Sequence, residues 1–288
     1  MTDPGAEAGG RRDHHDLRPT SLETFDGLEL HLCVQGAGPP VVLLHGFGSS
    51  TQINWINPGT AQALVQAGHE VIGLDARGHG RSQKPHAVRA YANDTMVKDV
   101  VSLFDALELA AADVVGYSMG AATALGFALR DERVRRLVLG GVDLRMLEGL
   151  MGAPSGEWRA RSIRIAQALE ADDRAAIADP VAKSYRRFAE WTGADRLALA
   201  ACQRALAERA PRTAWPATGG SSQQERLGLA QIEEVMAPTL VICGDRDVSP
   251  FDLARRFRHG TATVVPGTHL SAVTKPEFIT AIVNFLGP

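Results

Sequence analysis

Residues 112–125 decide the fold and read ADVVGYSMGAATAL. An apolar run ending at Val115 predicts a buried strand, and the alanine-rich residues after Gly120 predict a helix. Between them, Ser118 lies in a Gly-x-Ser-x-Gly pentapeptide. A serine at such a strand-to-helix turn is held out as a nucleophile, in a sparsely allowed backbone conformation that crowds the flanking positions. The pentapeptide also arises by chance in glycine-rich chains, so the rest of the sequence must decide its meaning.

Short apolar runs without polar alternation lie on both sides of this stretch. They occupy residues 41–44, 70–74, 112–115, 134–139, 239–243 and 262–265. Such runs predict strands covered on both faces, as in a parallel sheet between helices. Upstream, two extended segments joined at Asp26-Gly27 predict a hairpin over residues 21–34.

Helical periodicity separates these runs and is clearest at residues 94–107, with Asp94 as the expected cap. Strands alternating with helices predict an α/β fold with a doubly wound, mostly parallel sheet. Further helices are expected near 251–257 and 276–286.

The alternation stops between residues 144 and 224. Helical patterns follow one another at 162–170, 180–191 and 195–208, and residues 216–222 predict a loop. We therefore expect a helical insertion, 144–224, within a core formed by 21–143 and 225–288. The polar, glycine-rich residues 1–20 predict a disordered tail without a signal peptide.

Composition restricts the classes of partner. The chain has 288 residues and a net charge of -3, which gives no reason to expect nucleic acid or an anionic membrane. No run of eighteen apolar residues predicts a membrane span. Cys33, Cys202 and Cys243 are too scattered for a disulfide framework or a zinc site, so free thiols and a cytoplasmic location are expected.

Two side chains that would complete a nucleophilic site follow later strands. A serine hydroxyl needs a base to take its proton, and a carboxylate to orient that base. Asp247 follows the run ending at Cys243, and His269 follows the run at 262–265. Because the carboxyl ends of parallel strands share one edge of the sheet, we expect Ser118, Asp247 and His269 to meet there.

The chain resembles the α/β-hydrolase superfamily over about residues 21–288. It is most similar to the branch of small esterases, cofactor-free haloperoxidase-like enzymes and C–C bond hydrolases. The motifs that carry the resemblance are His45-Gly46-Phe47-Gly48, the stretch DARGHGRS at 75–82, the pentapeptide at 116–120, and Gly244-Asp245-Arg246-Asp247 followed by His269.

The resemblance implies a serine esterase. Ser118 would be the nucleophile, His269 the general base and acid, and Asp247 the residue that orients it; the backbone N–H groups of Phe47 and Met119 would form the oxyanion hole. The expected reaction is cleavage of a small, largely apolar carboxylic ester through an acyl-enzyme. The helical insertion would be a cap that excludes water, the partner is a small-molecule substrate, and no metal or cofactor is expected.

Several alternatives stay open. Asp245, and less favourably Asp143, could orient the histidine instead of Asp247. C–C bond cleavage or haloperoxidase-like chemistry could use the same residues, and a ligand-sensing receptor could retain them. Epoxide hydrolases and dehalogenases are disfavoured because they use an aspartate where Ser118 stands. The oligomeric state is open.

Other polar residues are expected to be structural. His45 should support its own loop, and Asp75 and Arg77 should form an ion pair or brace a turn. The insertion's arginines should form a solvated helix face rather than an anion site; they are Arg159, Arg161, Arg164, Arg186 and Arg187.

Overall fold

Four segments of the chain are described by the computed structural model: residues 20–92, 94–152, 155–209 and 229–287. The tail predicted at 1–20, apart from Thr20, and the loop predicted at 216–222 lie outside these segments. Within them, no helix is both long enough and apolar enough to cross a membrane.

The described strands form one eight-stranded sheet in the order β1-β2-β4-β3-β5-β6-β7-β8. They are β1 (Ser21–Glu23), β2 (Glu29–Gly36), β3 (Pro40–Leu44), β4 (Glu70–Leu74), β5 (Ala112–Tyr117), β6 (Val134–Gly140), β7 (Thr239–Gly244) and β8 (Gly260–Val265). Strand β2 pairs antiparallel with β1 and β4, and every other pair of neighbours is parallel. The predicted α/β fold with a mostly parallel sheet is confirmed.

The two faces of the sheet explain the uninterrupted apolar runs. In β3, Val42 and Leu44 belong to the apolar cluster that includes the helices at 95–106 and 119–128. Val41 and Leu43 belong to the opposite cluster, which includes the helices at 60–66 and 276–286. Because alternate side chains point to opposite faces and helices cover both, neither face of this strand requires polar residues.

The helices are α1 (Thr60–Gln66), α2 (Thr95–Ala106), α3 (Met119–Ala128), α4 (Leu144–Met151), α5 (Gly156–Glu170), α6 (Pro180–Thr192), α7 (Arg196–Glu208), α8 (Phe251–Ala254) and α9 (Pro276–Leu286). Helix α2 begins as predicted, but the prediction that the Asp94 side chain caps it is wrong. Asp94 has a left-handed backbone, φ 57°, and makes no side-chain cap hydrogen bond. Its carboxylate instead lies 3.1 Å from the Arg130 guanidinium.

Helices α4 to α7 form the segment between β6 and β7. Helices α5, α6 and α7 share an apolar cluster of small and aliphatic side chains, among them Ile165, Leu169 and Leu199. Arg186 is only 4% exposed, and its guanidinium donates to the Ala168 carbonyl in the last turn of α5. The expected solvated face is therefore wrong for Arg186, because unpaired carbonyls at a helix end offer a buried arginine its partners.

A buried arginine braces the turn after β4. Arg77 is fully buried, and its guanidinium contacts Asp99 of α2 at 2.5 Å and Asp26 of the β1–β2 turn at 3.0 Å. Asp75 does not pair with it but accepts the N–H groups of Thr51 at 2.7 Å and Arg81 at 2.9 Å. Both residues thus support loops at this edge of the sheet.

Candidate active site

Ser118 occupies a strained turn between β5 and α3. Its backbone has φ 54° and ψ -112°, and its N–H donates to the Gly140 carbonyl at 2.8 Å. A Cβ on Gly116 would lie 2.3 Å from the Gly120 oxygen, and one on Gly120 would lie 2.1 Å from the Leu44 oxygen. Both separations are far below van der Waals contact. The backbone therefore requires glycine on both sides of the serine.

His269 and Asp247 lie at the same edge as Ser118, in the loops after β8 and β7. The Ser118 Oγ is 3.0 Å from His269 Nε2, and His269 Nδ1 is 3.0 Å from one Asp247 oxygen and 3.2 Å from the other. The Asp247 side chain is 6% exposed and that of His269 is 35% exposed. This hydroxyl–imidazole–carboxylate chain has the geometry in which an imidazole can take the serine proton.

The two rival aspartates make other contacts. Asp245 accepts the N–H of Gly267 at 2.8 Å, within the loop that leads to His269. Asp143 accepts the N–H of Met146 at 2.7 Å and caps α4. Neither carboxylate is hydrogen-bonded to His269 in the described structure.

Tyr117 supports the loop that carries His269, a role that the sequence does not indicate. Its hydroxyl donates to the backbone carbonyl of His269 at 2.7 Å, and its ring lies 5.7 Å from that of Phe278. Tyr117 is 3% exposed, and this burial raises the pKa of its phenol. The only sequence signal is its position beside Ser118, which carries no information about a distant loop.

The N–H groups expected to bind an oxyanion lie beside Ser118. Phe47 follows β3, and Met119 is the first residue of α3, where the positive end of the helix dipole lies. Neither N–H donates to another backbone group among the described residues. Asn54, a second residue that the sequence reasoning missed, accepts the Gly46 N–H at 3.1 Å and so fixes the loop before Phe47.

Two buried histidines complete this loop region. His45 Nδ1 contacts the Gly46 carbonyl at 2.8 Å, and His45 Nε2 accepts the Ala76 N–H at 3.0 Å, so His45 supports its loop as expected. Burial lowers the pKa of His45 and lowers that of His79 to about 3. The His79 ring lies 5.6 Å from the ring of Phe47 in an edge-to-face arrangement, so a neutral histidine packs against Phe47.

His269 lines two cavities, and Ser118 lines one of them. The catalytic cavity, of about 260 Å³, has Ser118 and Asn54 in its wall together with apolar side chains from the loops and α6; these are Phe47, Ile53, Phe188, Trp191, Leu270 and Val273. The polar cavity, of about 510 Å³, lies on the side of Asp247 and contains Asp143, Arg145, Glu157 and Arg161. Ser184, Tyr185 and His269 line both.

Comparison with known proteins gives one consistent result. The model of the family described as alpha/beta hydrolase fold matches residues 39–249. The 2-hydroxy-6-oxo-2,4-heptadienoate hydrolase of Pseudomonas putida strain F1 is 33% identical over 238 residues, which cover 80% of each chain. A hydrolase from Pseudomonas aeruginosa PA01 of known structure is 27% identical in sequence. The two structures match with a TM-score of 0.67 over 93% of this chain and 98% of that one. A thermophilic esterase from Thermogutta terrifontis shares the fold. It is 24% identical in sequence, with a TM-score of 0.69, and the match covers 94% of this chain and 98% of that one.

Proposed function

The chain belongs to the α/β-hydrolase family, and from this premise we propose that it is a serine hydrolase that cleaves a small, largely apolar carboxylic ester through an acyl-enzyme. The observation that carries the proposal is the pair of 3.0 Å contacts joining Ser118, His269 and Asp247. The apolar wall of the catalytic cavity supports the apolar substrate.

The proposed reaction begins at the serine. His269 Nε2 takes the proton of Ser118 as the oxygen attacks the ester carbonyl, while the Asp247 carboxylate holds the imidazole in place and stabilises its positive charge. The carbonyl oxygen becomes an oxyanion and accepts hydrogen bonds from the Phe47 and Met119 N–H groups. One such donor contributes about 3–4 kcal/mol to the transition state.

The second half of the reaction frees the enzyme. The protonated His269 gives its proton to the leaving alkoxide, and the acyl group stays on Ser118 as an ester. Water then enters on the side of His269, and His269 takes a proton from this water as the water oxygen attacks the acyl carbonyl. The bond between Ser118 Oγ and the acyl carbon then breaks, His269 returns the proton to Oγ, and the carboxylic acid leaves. Helix α6, whose Tyr185 and Phe188 line the catalytic cavity, would act as part of a cap that limits the access of bulk water.

Labelling and turnover test this proposal together. A fluorophosphonate should label the unaltered protein on Ser118, and p-nitrophenyl butanoate should be hydrolysed over many turnovers. Ser118→Ala should lose both, whereas Ser162→Ala, which changes a buried serine of α5 away from the cavities, should keep both. Full hydrolysis by Ser118→Ala contradicts the proposal, and tight binding with only a single turnover would favour a ligand-sensing receptor.

A second candidate function is C–C bond hydrolysis on the same residues. It is favoured by the relative described as a heptadienoate hydrolase, whose substrate name denotes a carboxylate, and by Arg161 in the polar cavity. The Arg161 guanidinium stacks over Trp158 at 5.2 Å and forms no ion pair with a carboxylate among the described residues. It is therefore available for an anionic substrate group.

A comparison of substrates separates the two candidates. If the substrate is a 2-hydroxy-6-oxo dienoate, its absorbance should disappear on cleavage, and Arg161→Gln should raise KM for it at least about tenfold. Arg159→Gln, an exposed change on the same helix, is the control. Turnover of p-nitrophenyl butanoate without any cleavage of the dienoate would favour the esterase.

A further inference from the structure

Phe47 and Met119 also line a third cavity. It has a volume of about 100 Å³ and lies between core helices α2 and α3 and helices α4 and α7. Most of its wall is apolar, with Met96, Val97, Ala122, Leu150 and Leu206. Phe47 lines both this cavity and the catalytic cavity, so the two cavities share this residue in their walls.

One buried amide faces this apolar wall. Gln203 of α7 lines the cavity and is only 7% exposed, yet its carboxamide makes no hydrogen bond with any residue in the described segments. The Oγ1 of Thr95, also in the wall, is buried without a partner. Buried polar groups in native proteins are nearly always hydrogen-bonded, and the amide of Gln203 is open to the cavity without a partner among the described residues. We call this space the Gln203 cavity. Its wall is mostly apolar, the paired Asp94 and Arg209 side chains also line it, and an open amide in such a space is the arrangement of a ligand site.

The direction of proton transfer indicates which part of a substrate would enter the Gln203 cavity. His269 must reach the leaving atom in order to protonate it, and His269 lines the catalytic and polar cavities but not the Gln203 cavity. The leaving group therefore belongs on the side of His269 and not in the Gln203 cavity. The acyl substituent is on the other side of the carbonyl from the leaving group, and the Gln203 cavity, which Phe47 and Met119 line, offers space for it.

We propose that the Gln203 cavity binds the acyl side of the substrate, a short apolar chain that carries one oxygen atom accepting a hydrogen bond from the Gln203 amide. This inference rests on the proposed serine hydrolase function and names the acyl class for it. The cavity is smaller than the roughly 150 Å³ cavity that holds benzene, so it would admit a chain of about four carbon atoms beyond the carbonyl. A 4-oxopentanoyl group has this size and this acceptor.

Two esters that differ by one oxygen test the inference. The unaltered protein should hydrolyse p-nitrophenyl 4-oxopentanoate with a kcat/KM about tenfold higher than p-nitrophenyl pentanoate, because a buried amide then gains its partner. Gln203→Met keeps the length of the side chain but removes the amide, so the preference should fall to about onefold. Gln203→Glu replaces the donor by an acceptor, and the preference should reverse. Gln167→Met, the same change at an exposed position of α5, should leave the preference intact.

The outcomes separate this inference from the proposed function. Equal kcat/KM for the two esters with the unaltered protein, or an unchanged preference in Gln203→Met and Gln203→Glu, overturns the acyl site and leaves the serine hydrolase in place; Gln203 then binds ordered water. If the unaltered protein hydrolyses neither ester, the proposed function and this inference both fail. A loss of preference in Gln203→Met with retained hydrolysis of the pentanoate supports the site.

Discussion

The hydroxyl of Tyr117 donates a 2.7 Å hydrogen bond to the backbone carbonyl of His269. Tyr117 precedes Ser118 directly, so the strand that presents the candidate nucleophile also holds the loop that carries the candidate base. The 3.0 Å separation of Ser118 and His269 therefore depends on a contact outside the three residues themselves.

Removal of that hydroxyl should affect rate more than folding. In Tyr117→Phe we expect kcat/KM for the best ester to fall about 3- to 10-fold, since a neutral hydrogen bond contributes about 0.5–1.5 kcal/mol, while KM changes little. Thr239→Val is the control, because the buried Thr239 hydroxyl donates a 2.9 Å hydrogen bond to the Ala237 carbonyl and lines none of the cavities described above. Steady-state kinetics and urea unfolding of both variants separate an effect on rate from an effect on stability. An equal loss of rate in the two variants would contradict a positioning role for Tyr117.

Asparagine substitutions should distinguish the two aspartates near His269. Asp247→Asn removes the carboxylate that contacts Nδ1 and should lower kcat by about 10⁴-fold, the order of the effect in other Ser-His-Asp enzymes. Asp245→Asn retains an oxygen that can accept the Gly267 N–H and should cost little. Parallel kinetics of the two purified variants test this, and the opposite order of effects would assign the orienting role to Asp245.

A methyl group at Gly120 should break the turn. The Cβ of Gly120→Ala would lie 2.1 Å from the Leu44 backbone oxygen, so β3 or α3 must shift. We expect a loss of at least about 3 kcal/mol in the free energy of unfolding. Gly156→Ala, in open space at the start of α5, should be neutral or slightly stabilising. Urea unfolding gives both values, and similar stability of the two variants would refute the steric argument.

Acid should destabilise the protein through its buried histidines. Burial lowers the pKa of His79 from 6.5 to about 3, and it also lowers that of His45. Below pH 6.5 the unfolded chain therefore binds protons that the folded protein does not, and stability falls as the pH is lowered. The slope should reach about 1.4 kcal/mol per pH unit for each histidine.

Replacement of one of these histidines should flatten the pH profile. Urea unfolding between pH 7.5 and pH 5 should show a shallower slope for His79→Gln than for the unaltered protein. His259→Gln changes an exposed histidine and should leave the slope as it was. A slope unaffected by His79→Gln would show that other groups cause the acid sensitivity.

The sequence predicted best where one local rule decides the structure. The apolar runs at 41–44 and 239–243 became β3 and β7 because strands covered on both faces allow few polar residues. Their order along the chain also indicated which edge would gather Ser118, Asp247 and His269. The cap prediction for Asp94 fails because the capping rule assumes an extended backbone, whereas this residue is left-handed and its side chain contacts Arg130.

Contacts between distant segments could not be read from local patterns. Tyr117 and His269 are 152 residues apart, and no periodicity or spacing links them. Asn54 likewise acts on Gly46 through a short π-helical segment, Gln52–Ile56, that ordinary helix rules do not describe. Gln203 lies on α7, within the helical pattern predicted at 195–208, but that pattern does not show which residues lie near its amide.

Strands β6 and β7 flank helices α4 to α7 in the sequence and are neighbours in the sheet. Leu137 lies opposite Thr239, and Leu139 lies opposite Val241, so helices α4 to α7 leave and rejoin the sheet at adjacent strands. The closure entropy of such an excursion grows only slowly with its length. The segment can therefore be transplanted from a relative as a cassette, with its junctions after β6 and before β7. Such chimaeras would exchange Tyr185, Phe188 and Gln203 in one step and keep the turn that holds Ser118.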